Sequence, residues 1–194
     1  MSEQLSNDET QQAYSEAVSS GLYAKKSGLN GKYDNVRKYW EDEITRHFLY
    51  PHLKKLIESC RARSRRLRIM DLGCGSADGL ELLMAIRDKD ASLNQDEADL
   101  LGPELLGHYK GVDICDDLLD QGAAIYGHNP KINFQNADFT KALPIDKDEE
   151  PYDLYFSSYG STSHHNNINT FKKMLVQIAN STREDSVTVC DWIG

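Results

Sequence analysis

The 194-residue sequence predicts an α/β fold, a doubly wound, mostly parallel sheet with helices on both faces. Three observations predict it. From residue 67 onward, short apolar runs of strand length alternate with segments whose apolar residues recur at helical spacing, and that alternation builds a parallel sheet covered on both faces. At residues 69–79 the first of these runs breaks into two closely spaced glycines, Gly73 and Gly75, and a helical pattern opens directly after them. Finally, the length suits one domain with a sizeable core, and 39% hydrophobic with 27% charged residues is an ordinary balance for a globular protein.

Taken in order, the first dozen residues are polar and acidic and are expected to be disordered. Residues 13–29 have room for a short helix, which leads into the loop SGLNGKYDN. A helix is expected to begin after Asp34 or Asn35, both good N-caps. Val36, Trp40, Ile44 and Phe48 then recur every fourth residue as one apolar stripe. Pro51 interrupts, and Leu53, Leu56, Ile57 and Cys60 mark a second segment, kinked or restarted at the proline. Residues 61–68 carry five arginines. In so acidic a chain they read as a solvated helix end rather than a phosphate-binding patch.

Leu67–Leu72 is the first expected strand and Leu80–Ile86 the helix after the glycines. Residues 87–106 are acidic and loop-like, with room for one short helix. Tyr109–Ile114 is the second strand, and residues 116–126 form a helix capped by Asp116. Ile132–Ala137 and Tyr152–Ser158 are the third and fourth strands. Asn166–Ala179 is helical, with Phe171, Met174, Leu175 and Ile178 on one face, and Val187–Ile193 is the fifth strand. Two units are expected: residues 1–60 as an N-terminal helical lid or extension, and residues 61–194 as the ligand-binding domain.

Composition excludes several function classes. A net charge of −9 argues against a nucleic-acid partner, which calls for a basic face. No apolar run approaches a membrane span, and the polar, acidic start MSEQLSNDETQQAYSEAV is no signal peptide. Cys60, Cys74, Cys115 and Cys190 lie far apart with no C-x-x-C pair. That spacing fits reduced thiols in the cytoplasm better than disulfides or zinc, and no metal is expected.

The glycine turn carries the chemistry. Glycine reaches backbone angles closed to other residues and lets a ligand approach the main chain. The free N–H groups of the following helix then face whatever occupies the turn. A dinucleotide fingerprint would read G-x-G-x-x-G, but here the third position is Asp78 and Gly79 comes one residue late. Asp71, two residues before the first glycine, would repel a pyrophosphate and suits a ligand bearing positive charge, such as an ammonium. Further acids close the next strands. Asp113 ends the second, where a carboxylate can accept both hydroxyls of a ribose. Asp138, beside Phe139, ends the third, where the carboxylate can accept an adenine amino hydrogen while the ring packs on the base. Each acid alone reads as turn chemistry, but these two and the polar run from Ser157 to Asn167 after the fourth strand, at successive strand ends after one glycine turn, do not.

Asp-Leu-Gly-Cys-Gly after an apolar run, followed by these acids, resembles the motif series of class I S-adenosylmethionine-dependent methyltransferases, over residues 67 to about 193. The resemblance implies a Rossmann-like sheet with S-adenosylmethionine as cofactor. Asp71 would help hold the methionine ammonium, and Gly73, Cys74 and Gly75 would pass beneath the cofactor. Asp113 would bind the ribose, Ile114 would pack near the adenine, Asp138 would take its amino group and Phe139 would flank the ring. Ser157 would line the methionine end. Cys74 itself reads as a space-filling residue, not a nucleophile. Three departures stand out. Gly75 and Asp113 lie further apart than usual, so 87–106 reads as an insertion. Ala77 stands where a third glycine is common, a change a small residue should tolerate. The sequence also stops after the fifth strand, where the family's sheet usually has seven. A further segment or domain beyond Gly194 is therefore expected.

His164 and His165 follow the fourth strand and are the candidate bases or acceptor contacts. Tyr23, Tyr33, Tyr39 and Trp40 are candidates for a lid, with Tyr33 placed to reach the cofactor's carboxylate. No Asn/Asp-Pro-Pro-Tyr/Phe follows the fourth strand, as an exocyclic-amine base methyltransferase would require, so a small-molecule acceptor is expected. Two alternatives stand beside this reading: a non-catalytic cofactor-binding module, and an NAD-dependent oxidoreductase. Asp71 and the absence of a Tyr-x-x-x-Lys pair count against the second.

Overall fold

The computed structural model describes residues 7–21, 35–88, 99–165 and 167–191, with the backbone alone for 7 and 35–41. Its elements are α1 (Asn7–Ser19), α2 (Asn35–Ala62), β1 (Leu67–Leu72), α3 (Asp78–Met84), β2 (Leu106–Asp113), α4 (Asp116–Tyr126), β3 (Ile132–Asn136), β4 (Tyr152–Ser157), α5 (Ile168–Ser181) and β5 (Thr182–Cys190). The strands lie in the order β3-β2-β1-β4-β5, and every neighbouring pair is parallel. The chain order therefore reverses between β1 and β4, which opens a crevice above the strands' carboxyl ends.

β1 is central, and only Arg68 escapes full burial. Its odd-numbered residues Leu67 and Ile69 join Tyr109, Leu154 and Phe156 in one core, beneath α2 and α3. Its even-numbered Met70 and Leu72 join Val112, Tyr155 and the α5 residues Met174 and Ile178 in a second core on the opposite face. Period-two alternation along the strand thus feeds both cores.

The N-terminal third departs from expectation. Residues 7–12 belong to α1, not to a disordered tail. The expected apolar stripe on α2 faces outward where its side chains are described: Ile44 is 55% and Phe48 70% exposed. The face turned to the sheet carries Leu49, Leu53, Leu56, Ile57 and Cys60 instead. Periodicity alone offered two stripes, and packing selected the one in line with the connection into β1. Helix assignment runs through Pro51, which is exposed, so the proline neither ends nor restarts the helix.

Three of the five arginines are structural. Arg65 pairs with the fully buried Asp153 and with Asp185, Arg63 pairs with Asp185, and the Arg68 N–H donates to Asp153 Oδ2 at 2.8 Å. These contacts join the end of α2 to β4 and β5 at the sheet's amino end, away from the crevice.

Later elements differ mainly at their ends. β2 begins three residues earlier than expected and β5 five residues earlier, directly after α5. Cys115, not Asp116, holds the N-cap position of α4, and Asp116 accepts a hydrogen bond from Asn136 Nδ2 at 2.7 Å. Asn167 caps α5, accepting from the N–H groups of Asn169 and Thr170. Between α3 and β2, Arg87 and Asp99 form an isolated antiparallel bridge, and Leu100 and Leu101 are buried in the core; residues 89–98 of the expected insertion lie outside the described residues. No helix among the described residues is long and apolar enough to cross a membrane.

Candidate active site

A cleft opens over the carboxyl ends of β1 to β4. The turn after β1 contributes Gly73, Cys74 and Gly75. Gly73 and Gly75 have φ of 74° and 54°, in the left-handed region. A Cβ at Gly73 would also come within 2.3 Å of Ser161 Cβ, so the turn after β1 packs against the turn after β4 with no room for a side chain. Ala77 is left-handed too, at φ 71°: the third-glycine position keeps a glycine's conformation without being a glycine. Cys74 Sγ fills the space beside Gly111, where a Cβ would approach it to 2.8 Å; burial pushes the thiol well above its usual pKa.

Asp113, Ile114, Asp138 and Phe139 all face the cleft. Asp113 is tied to the glycine turn: its Oδ2 accepts the Gly75 N–H at 2.8 Å and its Oδ1 accepts the Cys115 N–H at 3.0 Å. Burial raises its pKa, opposed by these backbone donors. Each oxygen keeps a second lone pair for a ligand hydroxyl. Asp138 is held by the Thr140 N–H and hydroxyl at 3.0 and 2.6 Å and by Lys141 Nζ at 3.1 Å. Burial acts upward on its pKa, but these donors outweigh it and hold the carboxyl below its usual value.

Asp71 and Ser157 stand behind the wall of the cleft, not on it. Asp71 is fully buried under α3, and its Oδ2 accepts the Tyr109 hydroxyl at 2.8 Å. Gly79, the late glycine, is explained here. A Cβ on it would fall 2.4 Å from Asp71 Oδ2 and 2.9 Å from Phe156, so only glycine lets α3 approach β1 this closely. Burial pushes Asp71 up to about 7, with Tyr109 opposing and Asp113 and Asp78 adding to the shift. Ser157 donates to the Leu72 carbonyl at 2.9 Å, clasping β4 to β1.

The two histidines separate. His164 faces the cleft and its Nε2 lies 3.2 Å from the Tyr14 hydroxyl. His165 does not: it is 3% exposed, packed edge-on against Phe139 and Phe171, with Thr170 and Met174 at its ring nitrogens. Burial lowers its pKa. Adjacent residues leaving a 3-10 turn point to different sides, and one of this pair is a core residue.

The N-terminal segment expected as a lid meets the cleft through α1. Thr10 and Tyr14 of α1 line the cleft, and α1 packs on α4, with Ser15 Oγ 3.8 Å from Cys115 Sγ. Tyr23 and Tyr33 lie outside the described residues, as do the side chains of Tyr39 and Trp40. Sequence reasoning also missed Asp78, Tyr159 and Ser161 on the cleft wall. Tyr159 has a φ of 55° and donates to the buried Asp42 of α2 at 2.7 Å. Its available signal was the Tyr-Gly pair directly after a strand. Asp78 was visible as the acid replacing a fingerprint glycine.

No protein-family model matches the sequence, and no curated protein matches it. Solved structures do. An S-adenosylmethionine-dependent methyltransferase from Clostridium acetobutylicum superposes with a TM-score of 0.50 at 19% identity, covering 81% of this chain and 56% of that one. The chain has the class I methyltransferase fold. An amino pentose methyltransferase from Micromonospora echinaspora, solved with S-adenosylmethionine bound, gives a TM-score of 0.49 at 13% identity over 80% of this chain and 51% of that one. The chain thus spans about half the length of the methyltransferases it resembles. Its cleft occupies the crevice at the topological switch point, where sheets of this type bind ligands.

Proposed function

We propose that the protein binds S-adenosylmethionine in this cleft and transfers its methyl group to a small-molecule acceptor. One observation carries the reading: Asp113, Asp138 and Phe139, separated in sequence, converge with the Gly73–Gly75 turn on a single cleft. The residues fit such a cofactor. Asp113 offers acceptors for a ribose, Asp138 and Phe139 offer an acceptor and a ring for an adenine, and Asp78 with Asp113 offers negative charge for a cationic amino-acid portion. Apart from His164, no basic side chain lines the cleft among the described residues, which disfavours a pyrophosphate. The bound cofactor supplies an electrophilic methyl group on a sulfonium.

The chain's own residues then position and exclude water. The left-handed glycine turn brings the backbone beneath the ligand, and Asp113 couples ribose binding to that turn through the Gly75 N–H. Tyr14 and Thr10 close the cleft from above, and Tyr14 orients His164. His164 is the titratable side chain that can take a proton from an acceptor there. The withdrawal of His165 into the core leaves the acceptor side thinly equipped, which favours a non-catalytic binding module as the second reading.

Calorimetric titration with S-adenosylmethionine and NAD tests the binding. We expect S-adenosylmethionine to bind and NAD not to, with Asp113→Ala weakening binding at least about tenfold through loss of a charged hydrogen-bond acceptor. Unchanged affinity in that variant would refute the ribose role. Transfer of a labelled methyl group into a metabolite extract would identify an enzyme, and its absence despite tight binding would establish the module.

A further inference from the structure

We infer that the cleft reads the charge on its ligand's sulfur, with Asp71 and Asp78 as the groups that do so, and therefore favours the sulfonium cofactor over the neutral thioether left after methyl transfer. The inference rests on the proposed identity of the ligand as S-adenosylmethionine.

Three observations carry it. First, Asp71 has no exposed surface, and its Oδ1 has no hydrogen-bond partner among the described residues. Second, the titratable groups around it are Tyr109 and Asp113 from β2, Cys74 from the turn, Asp78 from α3 and Tyr159 after β4, while α3 and β4 press Gly79 and Phe156 against it. None of these is a cation. A buried carboxyl without a protein counter-charge is costly unless something outside the chain supplies one. Third, Asp78 belongs to this cluster and also lines the cleft, so the field of the buried carboxyl reaches the ligand through a shared wall. Asp78 and Asp113, both on that wall, would flank the part of such a ligand that follows the ribose along the glycine turn.

Cofactor and product share the same ammonium and carboxylate, so those groups cancel in a comparison. The positive sulfur remains. One unit charge several ångströms from a carboxylate in partly solvated protein changes affinity by about tenfold or more. Burial pushes the Asp71 carboxyl up to about 7, and a nearby cation ionises it further. The preference therefore grows as pH rises and shrinks as Asp71 takes up its proton.

Calorimetric titration of the intact protein is the test, with S-adenosylmethionine, S-adenosylhomocysteine and sinefungin, in which a protonated amine stands where the sulfonium is. At about pH 8 we expect the two cationic ligands to bind at least about tenfold tighter than the thioether, with the gap narrowing toward about pH 6. In Asp71→Asn the gap loses its pH dependence, and in Asp78→Asn it contracts at both pH values. The wild-type series decides the matter even where a variant fails to fold. Equal or tighter binding of the thioether overturns the inference alone. Binding of none of the three overturns the reading of the cleft and the inference with it.

Discussion

A carboxyl with no exposure and no cationic neighbour among the described residues, as at Asp71, makes folding itself depend on pH. Its pKa rises from 3.8 to about 7 on folding, so between these values the folded protein holds a proton that the unfolded chain has lost. The stability it contributes is present at low pH and is lost as pH rises through about 7. At about 1.4 kcal/mol per pKa unit the upper limit is roughly 4 kcal/mol, reduced by relaxation of the site. Asp71→Asn removes the titration and retains an acceptor for Tyr109. In urea unfolding of the free protein, the variant should gain on the wild type by more than about 1 kcal/mol between about pH 5 and pH 8. A gap independent of pH would mean that Asp71 is ionised throughout. Gly79 belongs to the same site: the space it leaves is the space Asp71 occupies. In sequence it is only a glycine one position late.

The helix α1 contributes more to the cleft than its composition suggests. Its 13 residues are mostly polar, and its last turn carries no basic residue to complement the helix dipole. An isolated helix of that length is marginal in water. Packing on α4 and the Tyr14–His164 contact hold it in place. On the proposed reading, ligand binding and the order of α1 would be coupled. Replacing Tyr14 with Ala removes an aromatic wall and the partner of His164, and should weaken binding of S-adenosylmethionine about tenfold with little change in global stability. Titration and thermal unfolding of the same sample check both halves. An equal loss in both would make α1 part of the core rather than a lid. On α2 the opposite lesson applies: Ile44 and Phe48 look like core residues and are exposed, whereas Leu49, Leu53 and Ile57 meet the sheet.

Across the whole molecule, the two ends of the sheet do different work. At the amino end Asp153, fully buried, receives Arg65, Arg183 and the Arg68 N–H, and Asp185 receives Arg63 and Arg65. This network joins α2, β4 and β5. Arg65→Met leaves Asp153 with Arg183 and the Arg68 N–H and should cost about 2 kcal/mol, measured by urea unfolding, without altering ligand affinity. A change in affinity would mean that the two ends are coupled through the sheet. At the carboxyl end Asp78, Asp113 and Asp138 line the cleft.

The order of strands and helices from residue 67 onward was legible in the residues, because strand-length apolar runs and helical spacing are local signals. So were the glycine turn and the acids Asp113 and Asp138 at the strand ends, because a parallel sheet brings all carboxyl ends to one side. What local signals do not contain is which of two faces on one helix meets the sheet, and that decided the fate of Phe48 and Leu49. Nor do they say whether a side chain near a strand end points into the cleft or under a helix. His164 and His165 are neighbours, yet one faces the cleft and the other the core; Asp71 and Asp78 flank the same turn, yet only Asp78 reaches the wall. Those choices are made by long-range packing, where a 2.4 Å approach at Gly79 or an aromatic contact at Phe139 settles the direction of a side chain that the sequence leaves free.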